Sequence, residues 1–105
     1  MIEQTTQPTE NAVEFCERTY PQTCDEFKKI FRSHGLPLDL VYLPCVESSY
    51  NFKAYSKFGA AGIWQFTRGT GRMYMEIGYV VDQRRDPHIS TQAAARLLKS
   101  NYAKL

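Results

Sequence analysis

The sequence predicts a small, mainly α-helical domain, and three observations support this fold class. Phe27, Ile30 and Phe31 have the i, i+3, i+4 spacing that places apolar side chains on one face of a helix. Residues 91–105 are rich in alanine and leucine, which have high helix propensity. Only residues 79–81 have the composition of a strand. A chain of 105 residues has room for one such domain and not for two.

Two helices are predicted in the N-terminal third of the chain. The polar residues 1–9 are expected to form a disordered leader before them. A short first helix is predicted over 11–18. Thr23 is predicted to cap a second helix over 24–33, and Gly35 is predicted to end it.

A third helix is predicted over the apolar segment LPLDLVYLPCVESSY, residues 36–50. Pro37 suits a first helical position, and Asp39 suits the positive end of the helix dipole. Pro44 lies inside the pattern, so it should cost one backbone hydrogen bond and bend the helix. Glu47 is therefore expected at the C-terminal end of a buried apolar helix.

The remainder is predicted to alternate loops and helices. Residues 51–61 are expected to form a loop, and residues 63–66 a compact turn. Thr67 is predicted to cap a helix that continues to about residue 77, despite two glycines within it. After an irregular stretch, Ser90 or Thr91 is expected to cap the last helix.

Composition and charge exclude several classes of function. The net charge is +2, and no run of Lys or Arg is dense enough to follow a phosphate backbone, which argues against nucleic-acid binding. The most apolar stretch is too short to span a membrane. The first ten residues lack the basic and apolar regions of a signal peptide, so an export signal has been removed or the chain is an excerpt.

The three cysteines leave their pairing open. The spacing of Cys16, Cys24 and Cys45 fits no zinc site. Cys16 and Cys24 are close enough to pair across the turn at Pro21. Free buried thiols are an equally good interpretation.

Glu47 is the candidate for chemistry. Burial at the end of an apolar helix would favour the neutral carboxyl group and raise its pKa. Such a group can protonate a leaving group near neutral pH and then take a proton back. The alternative, a glutamate whose side chain reaches solvent, is the commoner case for a glutamate taken alone.

The residues that follow Glu47 strengthen this interpretation. Trp64 and the tyrosines at 50 and 55 offer flat apolar faces that suit sugar rings. Gln65 can both donate and accept hydrogen bonds with hydroxyl or acetamido groups. The alternative for Trp64 is a place in the core, which is the commoner one for tryptophan.

The segment ESSYNFKAYSKFGAAGIWQFTRGTGRMY, residues 47–74, resembles the signature of the SLT-type lytic transglycosylase catalytic domain, in the lysozyme-like superfamily. It is most similar to the membrane-bound type-D branch. The preceding GLPLDLVYLPCV and the later DQRRDPHISTQAAARLL resemble that branch as well, so the resemblance covers roughly residues 27–105. It implies a mostly helical, lysozyme-like domain with a deep cleft.

The resemblance also implies roles for individual residues. Glu47 matches the family's single catalytic glutamate, and Ser48 completes the Glu-Ser pair that helps shape the loop. Ser56 matches the serine near the catalytic carboxyl group and the substrate. Gly62 and Gln65 match the Gly-x-x-Gln element that lines the glycan groove. Together with Trp64, these are the predicted site residues.

The implied reaction cleaves the β-1,4 bond between N-acetylmuramic acid and N-acetylglucosamine in peptidoglycan. Glu47 would protonate the glycosidic oxygen and then take a proton from the muramic C6 hydroxyl, forming a 1,6-anhydro ring. Substrate assistance allows one carboxyl group to suffice, and no metal or other cofactor is expected. A monomer in the periplasm or cell envelope of a bacterium is expected.

Nearby acids are predicted to be structural. Glu76, Asp82 and Asp86 are expected to serve as caps, in turns or in pairs with Arg84 and Arg85.

The sequence departs from the family pattern at two places. Met75 and Glu76 stand where the family has Gly-Leu. A Tyr-Asn-x-Gly segment that completes the far wall of the cleft is missing, so the domain at 10–105 is expected to be incomplete at its C-terminus. Two alternatives stay open: a lysozyme-type hydrolase that cuts the same bond, and a non-catalytic module that binds glycan or a cell-envelope protein or has a purely structural role.

Overall fold

The protein is mainly helical, as the sequence predicts. The structure, a computed structural model, describes the backbone of residues 9–103 and the side chains of residues 9–101 other than 46 and 47. The helices are α1 (Glu10–Thr19), α2 (Pro21–Ser33), α3 (Leu43–Ser48), α4 (Arg68–Gly71) and α5 (Pro87–Ala103), with 3₁₀ helices at Leu38–Tyr42 and Gln83–Arg85. Within 9–103 there are isolated β-bridges and no regular strand.

The first two helices begin earlier than predicted. The Thr9 hydroxyl accepts the Ala12 N–H at 3.2 Å, so α1 begins at Glu10. In α2 the first position is Pro21, because a proline there needs no hydrogen-bonded N–H and its φ already suits a helix. Thr23 therefore lies inside α2, and the prediction that it caps this helix is wrong.

The end of α2 is set by Gly35, as predicted. Gly35 has a φ of +69°, a left-handed conformation that glycine adopts at little cost. Its N–H bonds to Arg32 O at 3.0 Å, and the Leu36 N–H bonds to Phe31 O at 3.0 Å. These two bonds satisfy carbonyl groups that the helix end leaves free.

The segment predicted as one bent helix is two helices. A 3₁₀ helix runs over Leu38–Tyr42, with Asp39 in its first turn, and α3 then begins at Leu43. Pro44 falls at the start of α3, where its missing N–H has no partner to lose. The backbone of Glu47 lies in the last turn of α3, whereas its side chain lies outside the described part of the chain.

The next helix is shorter than predicted. Thr67 caps α4, its hydroxyl accepting the Thr70 N–H at 3.4 Å. However, α4 ends at Gly71 and does not reach Ile77. A Cβ on Gly71 would lie 2.5 Å from Ile77 Cδ1, so the chain folds back over this glycine.

The last helix begins at Pro87. The Asp86 carboxylate accepts the Ile89 N–H at 2.8 Å and so fixes the start of α5, in keeping with its predicted role in the turn before this helix. Ser90 and Thr91 are buried inside α5, and their hydroxyls donate to Pro87 O. The prediction that one of them caps α5 is therefore wrong.

The strand considered for residues 79–81 is absent. Ile77 and Asp82 form one antiparallel bridge, and the Gly78 N–H bonds to Val81 O at 2.6 Å. The side chains of Tyr79 and Val80 are 103% and 91% exposed. With no neighbouring strand to pair with, these apolar residues form an exposed turn.

One disulfide joins α1 to α3. Cys16 is bonded to Cys45, with their Cα atoms 6.1 Å apart. Cys24 is a buried free thiol that lies 3.7 Å from Cys16 O and 3.4 Å from the Tyr50 hydroxyl. The pairing of Cys16 with Cys24 considered from the sequence is therefore wrong, because Cys16 is already bonded.

The main core lies between α2 and α5. The rings of Phe31 and Trp64 stack with their centroids 5.6 Å apart. Ala94 and Leu98 of α5 are almost fully buried in the same apolar cluster. The helices thus form a scaffold that supports the loops of residues 49–86.

Candidate active site

The backbone at Glu47 is held at both sides by its neighbours. Two residues before it, Cys45 is bonded to α1. One residue after it, the Ser48 hydroxyl lies 2.9 Å from Pro44 O and 2.7 Å from Ile63 O. Ser48 therefore joins the end of α3 to the turn that contains Ile63.

The chain leaves α3 through an unusual backbone conformation. Ser49 and Tyr50 have φ values of 52° and 55°, which L-residues rarely adopt. The Ser49 N–H bonds to Cys45 O at 2.9 Å and the Tyr50 N–H to Pro44 O at 3.3 Å, which closes the end of the helix. Conformations of this kind cost free energy and are common at functional sites.

The turn at residues 61–66 is closed by backbone hydrogen bonds. Ala61 and Phe66 exchange two bonds, of 3.0 and 3.2 Å. Gln65 has a φ of 53°, its side chain is 8% exposed, and its Nε2 donates to Gly62 O at 2.7 Å. The Gln65 amide is thereby fixed in orientation against the turn.

Gly62 is required by close packing. A Cβ at this position would overlap the backbone carbonyl group of Arg84, and the φ of Gly62 is +80°. Its N–H bonds to Ala54 O at 2.9 Å. Glycine therefore allows the turn to approach both neighbouring segments.

Ser56 organises the loop in which it lies. Its hydroxyl accepts the N–H of Phe58 at 3.3 Å and that of Ala60 at 3.1 Å. Its own N–H bonds to Ala60 O at 2.8 Å. The side chain is only partly buried, so one side of Ser56 remains accessible.

Three predicted segments meet at one place. Ser48 contacts the turn through Ile63 O, whereas Gln65 Nε2 lies 3.4 Å from Ala54 O. A bridge also pairs Tyr55 with Ala61. The Glu-Ser pair, the Ser56 loop and the Gly-x-x-Gln turn are therefore adjacent, although Glu47 and Gln65 are 18 positions apart in the sequence.

The structure corrects the prediction for Trp64. Its side chain is 1% exposed, its ring stacks on Phe31, and its Nε1 donates to the Thr91 hydroxyl at 2.8 Å. Because the ring is stacked on Phe31 and hydrogen-bonded inside the core, it is not available to a sugar. Trp64 is a core residue that fixes the turn to α2 and α5.

The two tyrosines differ in their surroundings. The ring of Tyr50 packs edge-on against Tyr20 and Phe27, and its hydroxyl donates to Val41 O at 2.9 Å. Burial raises the pKa of Tyr50, and its hydrogen bond with Cys24 adds to this shift. Tyr55 is 61% exposed and available to a ligand.

Arg84 is a structural centre of the site that the sequence did not indicate. Its side chain is 1% exposed, and its Nη1 donates to Gly59 O at 2.9 Å and to Phe66 O at 3.0 Å. Its Nε and Nη2 donate to the two oxygens of Asp82 at 2.9 and 2.7 Å. Arg84 thus links the Ser56 loop, through Gly59, to the end of the turn at Phe66.

Asp82 is the partner of Arg84, and this pairing is among the roles that the sequence predicts for Asp82. Asp82 was expected to act as a cap or to pair with Arg84 or Arg85, and it does both, since it also accepts the Arg84 N–H at 3.1 Å. Hydrogen bonds from the Arg84 side chain hold the pKa of Asp82 below its usual range. A charged residue two positions from an acid gives no sign that it is buried, so the burial of Arg84 could not be predicted.

Neither a metal cluster nor a membrane span is found in the described part of the chain. Among the described side chains, no three His, Cys, Asp or Glu residues come together in a way that could hold a metal ion. No helix among the described residues is long and apolar enough to cross a membrane.

The sequence is similar to those of known proteins. Over 69 residues, 65% of this chain, the sequence is 41% identical to the Membrane-bound lytic murein transglycosylase D of Escherichia coli strain K12 and to that of E. coli O6:H1. Over 66 residues, 62% of the chain, it is 35% identical to a protein of Alteromonas sp. (strain M-1) named for tributyltin chloride resistance.

The chain spans only a small part of these relatives, 15% of each E. coli protein and 32% of the Alteromonas protein. No solved structure matches it significantly. The profile of the family described as "Transglycosylase SLT domain" matches residues 27–105, which is most of the chain. This protein therefore belongs to the transglycosylase SLT domain family.

Proposed function

We propose that this chain carries the catalytic segment of a peptidoglycan lytic transglycosylase. The observation that supports this best is the meeting of the Glu-Ser pair, the Ser56 loop and the Gly-x-x-Gln turn at the end of α3. Membership of the SLT family and the names of the E. coli relatives point to the same polymer, murein.

The proposed reaction needs one carboxyl group. The protonated Glu47 gives its proton to the oxygen that links N-acetylmuramic acid to N-acetylglucosamine, and the bond from that oxygen to muramic C1 breaks. The acetamido group of the substrate stabilises the cationic carbon. The Glu47 carboxylate then takes the proton of the muramic C6 hydroxyl as its oxygen bonds to C1. The products are a 1,6-anhydro end and a free hydroxyl, and no water is consumed.

The surroundings of Glu47 would keep the acid in place during both proton transfers. Ser48 fixes the end of α3 to the turn, and Gln65 is itself fixed within that turn. An acid that must act twice on one bound sugar gains from rigid positioning. In this proposal Ser56 and Gln65 line the glycan groove, whereas Ser48 and Gly62 set the shape of the backbone.

The proposed substrate sets the proposed location. Peptidoglycan lies outside the inner membrane of bacteria, so the parent protein would act in the periplasm or cell envelope. We also propose that the chain acts as a monomer.

The mass of the reaction product tests this proposal. Purified peptidoglycan would be incubated with the protein, and the released muropeptides analysed by mass spectrometry. We expect anhydro ends, which are lighter by one water molecule than reducing ends. Reducing ends would contradict the lytic reaction and favour a lysozyme-type hydrolase. Binding without any release would contradict an enzymatic role and favour a glycan-binding module.

A further inference from the structure

An exposed surface surrounds Ser56 and has a distinctive composition. Three large aromatic side chains of the loop, Phe52, Tyr55 and Phe58, are 47%, 61% and 78% exposed. Leaving several large aromatic rings in water is unfavourable, and such patches often mark sites of interaction. The loop is held in shape from inside by the Ser56 hydroxyl.

A cation accompanies each of these rings. Lys53 Nζ lies 5.7 Å from the centre of the Phe52 ring, and Lys57 Nζ lies 5.3 Å from that of Phe58. The guanidinium group of Arg85 lies 5.9 Å from the Tyr55 ring. These distances allow cation–π attraction, which keeps the charges close to the rings. We call the six residues the aromatic-cation patch: Phe52, Lys53, Tyr55, Lys57, Phe58 and Arg85.

The patch has a fixed arrangement and carries positive charge. Arg85 Nη1 donates to Lys53 O at 3.2 Å, which joins the segment after Asp82 to the loop. Lys53, Lys57 and Arg85 are all exposed, so an anionic ligand can reach their charges.

The position of the patch indicates which ligand it meets. Ser56 lies between patch residues in the chain, and Ala54 O, in the same loop, accepts the N–H of Gly62 in the turn that lines the proposed groove. The patch is therefore next to the residues that we propose to contact the glycan. The sugars of such a strand are uncharged where peptides are attached to the muramic acid, so the carboxylates of the attached peptides are the available anions.

We propose that the aromatic-cation patch binds the carboxylate-bearing peptide branches of peptidoglycan, next to the site of glycan cleavage. This inference rests on the proposed function, because it takes the same polymer as the ligand. The lysine and arginine side chains would pair with carboxylates, while the aromatic rings would cover the apolar parts of the peptide. A surface of anionic lipid also suits basic and aromatic residues, but the continuity with Ser56 favours the peptide.

The test compares two double variants with the same change in charge. Lys53→Gln with Lys57→Gln removes two charges from the patch, whereas Lys29→Gln with Lys99→Gln removes two exposed charges from α2 and α5. Binding to insoluble peptidoglycan would be measured by cosedimentation, with intact material and with material whose peptide carboxylates have been converted to neutral amides by carbodiimide coupling with ammonia. We expect the patch variant to bind intact peptidoglycan about fivefold more weakly than the control, as two exposed charge contacts would give.

The other binding measurements identify which negatively charged groups the patch binds. We expect neutralisation of the peptide carboxylates, or high salt, to weaken wild-type binding and to abolish the difference between the two variants. Equal binding by both variants, or equal binding to neutralised and intact peptidoglycan, would overturn the inference. So would tighter binding to phosphatidylglycerol vesicles that depends on the same lysines.

Cleavage is measured separately and identifies which proposal fails. If the wild-type protein cuts neutralised and intact peptidoglycan alike and both variants bind equally, the inference falls and the proposed function stands. If binding depends on the peptides but no glycan is ever cut, the patch is supported and the enzymatic proposal falls.

Discussion

Two regions of this protein are held together by different kinds of interaction. The helical scaffold, made of α1, α2, α3 and α5, is stabilised by buried apolar side chains and by one disulfide. The site loops, residues 49–86, contain three isolated bridges, one four-residue α-helix and one three-residue 3₁₀ helix. Polar groups hold much of their shape, above all the buried side chain of Arg84.

The difference also appears in the backbone. Among the described residues, the non-glycine residues with positive φ are Ser49, Tyr50 and Gln65, and all three lie in the site loops. Each such conformation is retained only when its surroundings enforce it. The packing of the scaffold therefore supplies the stability of the fold. Part of that stability offsets the free-energy cost of the unfavourable backbone conformations in the site loops.

Replacing Arg84 should have the largest effect, because it removes the centre of the site loops. In Arg84→Met the carbonyl groups of Gly59 and Phe66 lose a donor, and Asp82 loses its partner. We expect the free energy of unfolding to fall by about 4 kcal/mol, with loss of glycan cleavage. Urea denaturation would measure the first effect and muropeptide release the second.

The neighbouring exposed residue provides the control. Arg85→Met removes the same charge from a side chain that lies at the surface. Its effect on the free energy of unfolding should stay within about 0.5 kcal/mol. Similar losses in both variants would mean that the burial of Arg84 has no special importance for the loops.

Removing the disulfide should damage the scaffold and leave the loops in place. Cys16 and Cys45 are separated by 29 positions, and in a chain-entropy description a disulfide that closes a loop of this length contributes about 3.6 kcal/mol of stability. We expect Cys16→Ala with Cys45→Ala to lower the melting temperature while glycan cleavage persists well below that temperature.

A reducing agent should lower the melting temperature of the wild-type protein to near that of this double variant and should not affect the variant itself. A reducing agent that lowers the melting temperature of both proteins would contradict the assignment of the stabilisation to this disulfide.

The pair of Asp82 and Arg84 should make the site loops sensitive to acid. Hydrogen bonds from Arg84 lower the pKa of Asp82 in the folded state. Its stabilising effect is therefore complete above the unfolded-state pKa, about 3.9, and is lost as the pH falls through the lower, folded-state pKa. At pH 7, Asp82→Asn should be less stable than the wild type by about 1.5 kcal/mol.

Thermal unfolding across the acidic range measures this effect. The difference in stability between the wild type and Asp82→Asn should shrink as the pH falls below about 4, where the wild-type carboxylate becomes protonated in the unfolded state while it is still charged in the folded state. A difference that is constant from pH 7 to pH 3 would show that the charge of Asp82 contributes nothing.

The sequence predicts the scaffold better than the loops. The apolar spacing in α2, the glycine that ends it and the mainly helical class are all local patterns, and the structure confirms them. The prediction for α4 was wrong because its end depends on Ile77 packing over Gly71, a contact that no local pattern records. The same limit applies to Cys16, whose partner is set by how α1 lies on α3.

For the site, the motifs identify segments that meet in the structure but not the orientation of every side chain. Ser48, Ser56 and Gln65 lie on adjacent segments, as the resemblance implied. Trp64 lies in the same Gly-x-x-Gln turn as Gln65, yet its side chain faces the core. The orientation of a side chain in a turn depends on tertiary packing, which the motif does not record. Arg84 was missed because its burial is decided by the same packing.

The most direct test of the account is the rate of glycan cleavage by Glu47→Gln, measured together with its melting temperature. Glu76→Gln, a change of the same kind at an exposed position, is the control. We predict that Glu47→Gln lowers cleavage by about a thousandfold with an unchanged melting temperature, whereas Glu76→Gln retains the wild-type rate. A folded Glu47→Gln protein that cuts peptidoglycan at the wild-type rate would contradict the account.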